Sequence, residues 1–313
     1  MTTSQSKKIA VIGECMIELS EKGKDVSRGF GGDTLNTSVY IARQVPADKL
    51  AVHYVTALGT DTFSDQMLTT WQKENVKTDL IQQFPDKMPG LYYIETDDRG
   101  ERKFYYWRND AAARYWLLRE KSDEICQKLA HFDYIYLSGI SVAILNKESR
   151  EKLIKLLLEC RKNGGKVIFD NNYRPRLWQS REEAQQVYHD VLACTDIAFL
   201  TLDDEDLLWG EEPYEQVITR TRALGVSEIV IKRGADACIV AANNELEVVP
   251  AVKLPKEKVV DTTAAGDSFS AGYLSVRLQG GNVVDAAIRG HLTASTVIQY
   301  RGAIIPLEAM PAV

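Results

Sequence analysis

Short runs of apolar residues alternate along the chain with longer stretches whose apolar residues recur every three or four positions. The runs are 8–13, 51–58, 133–139, 167–172, 197–201, 228–234 and 237–241. Most are apolar nearly throughout and close on glycine or a polar residue, which predicts strands buried on both faces. The stretches 37–44, 63–74, 147–163, 182–193 and 283–299 have helical spacing, and Gly164-Gly165 stops one of them. Such alternation predicts an α/β fold with a mainly parallel central sheet covered by helices on both faces. Ligands of such sheets bind beyond the C-terminal ends of the strands. Gly13, Gly139, Asn171 to Arg174, Thr201 and Lys232 to Gly234 fall at those ends.

One segment interrupts the alternation. Residues 90–96 and 101–108 are aromatic and β-branched and flank the turn residues 97–100, the pattern of a β-hairpin. With residues 14–30 it predicts a small β-sheet lid over the site. The expected division is a lid of 14–30 and 89–111 on an α/β core of 1–13, 31–88 and 112–313. Closing such a lid excludes water from the reaction.

Two motifs carry candidate chemistry. Asp261-Thr-Thr-Ala-Ala-Gly-Asp267 runs into a helix marked by Phe269, Gly272, Tyr273 and Val276 and stopped at Gly280-Gly281. Ala264, Ala265 and Gly266 then lie at a helix N-terminus, where unpaired N–H groups and the helix dipole favour an anion such as phosphate. Asp267, a carboxylate beside an anion site, opposes simple binding but suits a base that takes a proton from an attacking hydroxyl. Earlier, Gly31-Gly32 permit close backbone approach to a ligand. Asp33 and Asn36, one turn apart, can face the same hydroxyls. The plain alternatives are a helix cap at Asp261 or Thr263, and a glycine loop with Asp33 or Thr34 as cap.

Composition narrows the field. A 313-residue chain with 45% hydrophobic and 26% charged residues suits one large globular domain with an appendage. The net charge of -6 argues against nucleic acid as a partner. No run is apolar enough to span a membrane, and residues 1–8 lack a secretory h-region. Five scattered cysteines without a C-x-x-C fit reduced thiols and a cytoplasmic protein. The four histidines do not cluster, so zinc is not expected. A Walker A loop is absent, and so are the protein-kinase motifs, which leaves residues 261–267 as the candidate phosphate site. Asp204, in an acidic first turn, is either dipole-favoured or a magnesium ligand through water.

The 261–267 string resembles the C-terminal signature of the ribokinase/PfkB family of sugar kinases, D-T-x-G-A-G-D, with Ala264 at the first glycine. Gly31 to Asn36 resembles the family's N-terminal sugar-binding signature. The resemblance covers nearly the whole chain. It implies a ribokinase-like fold, ATP as phosphate donor, Mg²⁺, and in some members K⁺ near Asp261 and Thr263. It also implies that the lid doubles as a homo-oligomer surface. Catalysis falls to Asp267 with Ala264, Ala265 and Gly266, and the sugar to Gly31, Gly32, Asp33, Thr34 and Asn36. The nucleotide falls to Asn172, Arg174, Lys232, Gly234, Ala264, Gly266 and His291. Thr201-x-x-Asp204 stands where the family has Asn-x-x-Glu, so Asp204 takes the magnesium role there.

Two arginines aimed at one pocket, Arg108 and Arg174, suit a carboxylate, with Tyr92 and Tyr106 offering hydroxyls or a stacking face. The wording of residues 90–95, 104–109 and 170–178 is similar to that of the family's bacterial kinases of 2-keto-3-deoxygluconate, also called 2-dehydro-3-deoxygluconate. The expectation is ATP-dependent phosphorylation of that acid at its 6-hydroxyl with Asp267 as base. The alternatives are a fructokinase or ribokinase acting on a neutral sugar, and a catalytically silent sugar-binding protein.

Overall fold

The computed structural model describes residues 6–22, 25–96 and 102–312. In chain order the first elements are β1 (Lys7–Ile12), β2 (Met16–Lys22), β3 (Asp25–Gly31), α1 (Asp33–Gln44), β4 (Leu50–Val55), β5 (Ala57–Leu58), α2 (Thr62–Lys73) and β6 (Gln82–Gln83). The middle holds β7 (Leu91–Thr96), β8 (Arg102–Trp107), α3 (Ser122–Leu129), β9 (Tyr134–Ser138), α4 (Gly139–Ala143), α5 (Lys147–Lys162), β10 (Lys166–Asp170) and α6 (Arg181–Leu192). The last part holds β11 (Ile197–Thr201), α7 (Leu202–Trp209), α8 (Tyr214–Ala223), β12 (Glu228–Lys232), β13 (Cys238–Ala242), β14 (Glu245–Val249), α9 (Ala265–Arg277) and α10 (Val283–Val297).

Eight strands form the central sheet in the order β14-β13-β12-β11-β10-β9-β1-β4. From β4 to β12 every pairing is parallel; β13 and β14 add antiparallel at one edge. Successive side chains of a strand point to opposite faces. Ile12, Phe169, Leu200 and Ile231 therefore pack on one face with Leu153, Tyr188 and Val217 from α5, α6 and α8. Ile9, Val11, Ile168, Phe199 and Val230 pack on the other with Val39, Trp71, Tyr273 and Ala286 from α1, α2, α9 and α10. Each fully buried aliphatic or aromatic side chain contributes about 1.5–3 kcal/mol over exposure. The two cores together are what anchor the strand ends.

A second sheet, β3-β2-β7-β8, is built from residues 16–31 and 91–107. The paired register sets Tyr92 opposite Tyr106 and Ile94 opposite Phe104 on one face, with Tyr93 opposite Tyr105 and Leu91 opposite Trp107 on the other. The turn expected at 97–100 lies outside the described residues. No described helix is long and apolar enough to cross a membrane.

Several expected elements shift. The helix expected from Thr37 begins at Asp33, because extended Gly32 takes the N-cap position and its carbonyl accepts from Asn36 N at 2.9 Å. The strand expected over 51–58 breaks at Thr56 into β4 and β5. The edge strand β14 was not expected; its exposed residues alternate charged and apolar, with Leu246 and Val248 half exposed.

Candidate active site

The C-terminal ends of β10, β11 and β12, the start of α9, and one face of the small sheet enclose a cleft of about 650 Å³. Its floor is the start of α9. Ala264 takes the N-cap position without a side-chain cap. Ala265 N donates to Thr262 O at 3.1 Å, so that amide is used inside the turn. Gly266 and Asp267, in the first helical turn, lack intrahelical acceptors and direct their N–H groups outward at the positive end of the dipole. Asp261 braces the turn: its Oδ1 accepts from Thr263 N at 3.1 Å and Thr263 Oγ1 at 2.5 Å, and its Oδ2 from Gly302 N at 3.0 Å. The segment after α10 is tied down further by Tyr40 OH donating to Ala303 O and Arg43 Nη1 to Ile305 O.

Asp267 points into the cleft, where Asn36 Nδ2 donates to its Oδ2 at 2.8 Å. The enclosing protein, then the carboxylates of Asp33 and Asp170, push its pKa up to about 8; the Asn36 hydrogen bond and the Lys232 charge pull the other way. A carboxylate so tuned accepts a proton near neutral pH, as a general base must. Beside it, Lys232 Nζ donates to Asp170 Oδ2 at 2.7 Å. Asn172, at φ 26°, donates from Nδ2 to Asp33 Oδ2 at 2.5 Å.

The lid side of the cleft is lined by Met16, Tyr92, Phe104 and Tyr106. Tyr92 is buried, with its ring 5.9 Å from that of half-exposed Tyr106. Its hydroxyl donates to Glu18, and burial and then that carboxylate push its pKa up. Gly31 and Gly32 earn close approaches: a Cβ on Gly31 would strike the Tyr92 hydroxyl, and one on Gly32 the backbone of Glu14 and Cys15. On the opposite side lie Arg233, Gly234 in the left-handed region at φ +59°, Cys238, Ser295 and His291. His291 is buried edge-on against Phe269, with its Nε2 3.1 Å from Val249 O, and burial lowers its pKa.

Of the residues expected at the site, Gly31, Gly32, Asp33, Asn36, Tyr92, Tyr106, Asn172, Arg174, Asp204, Lys232, Gly234, Thr263, Ala265, Gly266, Asp267 and His291 all line the cleft. Thr34, Ala264, Asp261 and Arg108 do not. Thr34 follows Asp33 by one helical position and turns inward, its Oγ1 3.1 Å from Tyr54 OH. Ala264 is buried in the core under the turn. Arg108 is buried and ion-paired with Glu14, its guanidinium 5.9 Å from the Tyr106 ring. Burial raises the Glu14 pKa and Arg108 opposes it. Arg174 is half exposed and pairs with Asp204 at 3.2 Å, so neither arginine reaches toward a neighbour of Asp267 in this structure.

Among the described residues no group of three or more His, Cys, Asp or Glu is placed to hold a metal. Magnesium bound with a nucleotide keeps waters and phosphate oxygens as ligands and needs one or two carboxylates. Asp204 fits: it lines the cleft, and burial raises its pKa. Glu205, its neighbour, is buried away from the cleft and holds Asn171 Nδ2 at 2.9 Å and Arg220 at 2.9 Å. Asp170 is the main residue the motifs did not single out. Its signal is an acid closing the buried apolar run 167–169 at the end of β10.

Comparison with known proteins shows the family and the fold. Residues 6–310 match the family model described as pfkB family carbohydrate kinase. The chain is 74% identical over 313 residues to the 2-dehydro-3-deoxygluconokinase of Dickeya dadantii strain 3937, covering 100% of both. It is 74% identical over 308 residues to the 2-dehydro-3-deoxygluconokinase of Escherichia coli strain K12, covering 98% of this chain and 100% of that one. Among solved structures, the 2-dehydro-3-deoxygluconokinase of Thermotoga maritima superposes with a TM-score of 0.84 at 22% identity, covering 97% of each chain, which shows a shared fold.

Proposed function

The chain belongs to the pfkB family of carbohydrate kinases, and we propose that it phosphorylates the 6-hydroxyl of 2-dehydro-3-deoxygluconate with ATP, Asp267 serving as general base. The observation that carries this is the position of Asp267. It sits on the cleft floor at an anion-binding helix start, oriented by Asn36, between the lid tyrosines and the Gly234–His291 side.

The sugar lies against Gly31, Gly32, Asp33 and Asn36, under Tyr92 and Tyr106. Its carboxylate goes to Arg108 and Arg174, which leave Glu14 and Asp204 for it. The nucleotide lies along Asn172, Lys232, Gly234 and His291, with its terminal phosphate at the amides of Gly266 and Asp267. Asp267 takes the proton of the 6-hydroxyl as the new O–P bond forms. The bond from phosphorus to the bridging oxygen of ADP breaks, and the helix amides receive charge on the phosphoryl oxygens. Asp204 would hold Mg²⁺ through water, and the ion would neutralise charge on the nucleotide phosphates.

Two further features belong to the same proposal. The turn of Asp261 and Thr263 would take K⁺ behind the phosphate site, as the family resemblance implies. The small sheet acts as the lid and pairs two copies of the chain, with exposed Tyr105, Trp107 and Val26 as the apolar material for that contact. The deciding experiment follows ADP release from the purified chain over a panel of the deoxy-keto acid, fructose and ribose. Turnover of the acid at a kcat/KM at least about 100-fold above the neutral sugars is expected; equal rates would overturn the substrate.

A further inference from the structure

Lys232 and Asp170 end two strands of the central sheet that flank β11. Their ion pair is nearly sealed, with side-chain exposures of 9% and 6%. One oxygen, Asp170 Oδ2, receives three donors: Lys232 Nζ at 2.7 Å, Ser270 Oγ at 2.9 Å and Tyr136 OH at 3.3 Å. That oxygen is fixed from β9, β12 and α9 at once. The ammonium is fixed with it, touching Ser270 Oγ at 3.5 Å and sitting 5.9 Å from the Phe199 ring centre. Two of its three N–H bonds are thereby accounted for among the described residues. On its remaining side is Gly266: a Cβ built there would meet Nζ at 3.4 Å. Both residues line the cleft.

A buried ion pair contributes little net stability compared with apolar residues of the same volume. Besides Asp170, four acids, Asp33, Asp203, Asp204 and Asp267, line the same cleft, and their charge opposes a nucleotide's phosphates. Of the other cations of the cleft, Arg174 is half exposed, pairs with Asp204 and goes to the sugar carboxylate in the reading above, and Arg233 Nε donates to Ala237 O. Among the described residues Lys232 is the buried cation that lines the cleft. Its Nζ lies beside Gly266, in the first turn of α9.

We infer that Lys232 is a catalytic residue of the phosphoryl transfer, its ammonium contacting the transferring phosphoryl group at the start of α9, and that Asp170 is the positioning residue that aims it. The inference rests on the kinase reading above and deepens it. The phosphoryl oxygens carry the charge that shifts during transfer, and a fixed cation beside them needs no rearrangement at that moment. Lysine is held here as a point charge; without Asp170 its four-carbon stem would swing among rotamers.

The test compares wild type with Lys232→Met, Lys232→Arg, Asp170→Asn and the double variant Asp170→Asn/Lys232→Met. The readouts are kcat and KM for the deoxy-keto acid, ADP binding by calorimetry, and melting temperature. Removing one preorganised charge contact typically lowers kcat by about 10²–10³. Lys232→Met is therefore expected to lose about 100-fold or more in kcat while sugar KM and ADP affinity stay within about threefold. Lys232→Arg is expected to recover part of the loss, and Asp170→Asn to show a smaller loss of the same kind. Lys232→Met leaves Asp170 without its cation and risks misfolding. The double variant carries neither charge, keeps the fold, and is expected to be as slow as Lys232→Met. A folded variant lacking Lys232 with kcat within threefold of wild type overturns the inference. So does a loss spread equally over sugar KM, ADP affinity and melting temperature, the mark of a structural tie between strand ends. An inactive wild type instead overturns the kinase reading itself.

Discussion

Asn36 Nδ2 donates to Asp267 Oδ2 across 2.8 Å, joining the first turn of α1 to the first turn of α9. The other amide atom, Asn36 Oδ1, is buried with no hydrogen-bond partner among the described residues. In the proposed reaction one side chain would orient the base and keep an acceptor for a sugar hydroxyl. Asn36→Ala is expected to lower kcat by about 10–100-fold and raise sugar KM, since a misplaced base loses much of its 10²–10⁴-fold contribution. Asn36→Asp is expected to be worse, because a carboxylate against Asp267 repels it. Steady-state kinetics of the two variants check both statements; a better Asp than Ala variant would refute the orienting role.

Asp267→Asn removes the base and keeps the shape. The variant is expected to bind the sugar acid and ADP normally by calorimetry and to lose about 10³-fold or more in kcat. Turnover within tenfold of wild type would remove Asp267 from that role.

The raised pKa of Asp267 has a sign that stability measurements can read. Folding moves this carboxyl from the ordinary range near 3.8 up to about 8. Between those values the folded state binds more protons than the unfolded state, so stability falls as pH rises through the window and levels off above it. Asp267→Asn has no such loss. Its melting temperature is expected to match wild type near pH 4 and to exceed it by several degrees at pH 9. In the free enzyme, kcat/KM is expected to climb with pH toward a plateau above about 8, following the ionised base. A gap in melting temperature that does not widen with pH would contradict the shift.

The buried pair of Glu14 and Arg108 makes a substrate-dependent prediction. Arg108→Ala leaves a carboxylate buried without its cation, which typically destabilises by about 3–5 kcal/mol. Arg108→Ala combined with Glu14→Gln is therefore the better probe. It is expected to raise KM for the deoxy-keto acid by about 10–100-fold and to leave KM for fructose nearly unchanged. Equal effects on both sugars would remove Arg108 from carboxylate binding.

Trp107 is 62% exposed on the face of the small sheet opposite Tyr92 and Tyr106. Trp107→Glu is expected to shift the chain from dimer to monomer in sedimentation experiments. A wild-type monomer would dispose of the lid contact.

Much of the fold was legible because its strands are buried on both faces. Val167, Ile168 and Phe169, or Ile229, Val230 and Ile231, have no polar option, and unbroken apolar runs separated by helical spacing leave few topologies. The edge strand β14 was not legible, since Glu245 and Glu247 look like loop residues. At the site, the glycine and aspartate motifs stood out in the sequence, and both line one cleft, where close backbone approach demands glycine at 31 and 32. Phase was not. Moving the start of α1 back four residues, to Asp33, is what decides that Asp33 and Asn36 face the cleft while Thr34 faces Tyr54. Pairings across long separations were also hidden: Glu14 with Arg108, and Asp170 with Lys232, join residues 94 and 62 positions apart. Nothing local in either segment announces its partner.

The latch from Asp261 to Gly302, with Tyr40 and Arg43 gripping Ala303 and Ile305, bears on how the chain is made. On the ribosome, all eight strands of the central sheet emerge before residue 250. The phosphate turn follows, but its brace comes some forty residues later. The strands of the central sheet thus precede in sequence the contacts that hold the turn. A settled turn at Asp261 is expected to need residues 302–305 in place as well as the turn itself. A chain stopped after residue 298 is expected to keep its circular dichroism and show neither kinase nor ATPase activity.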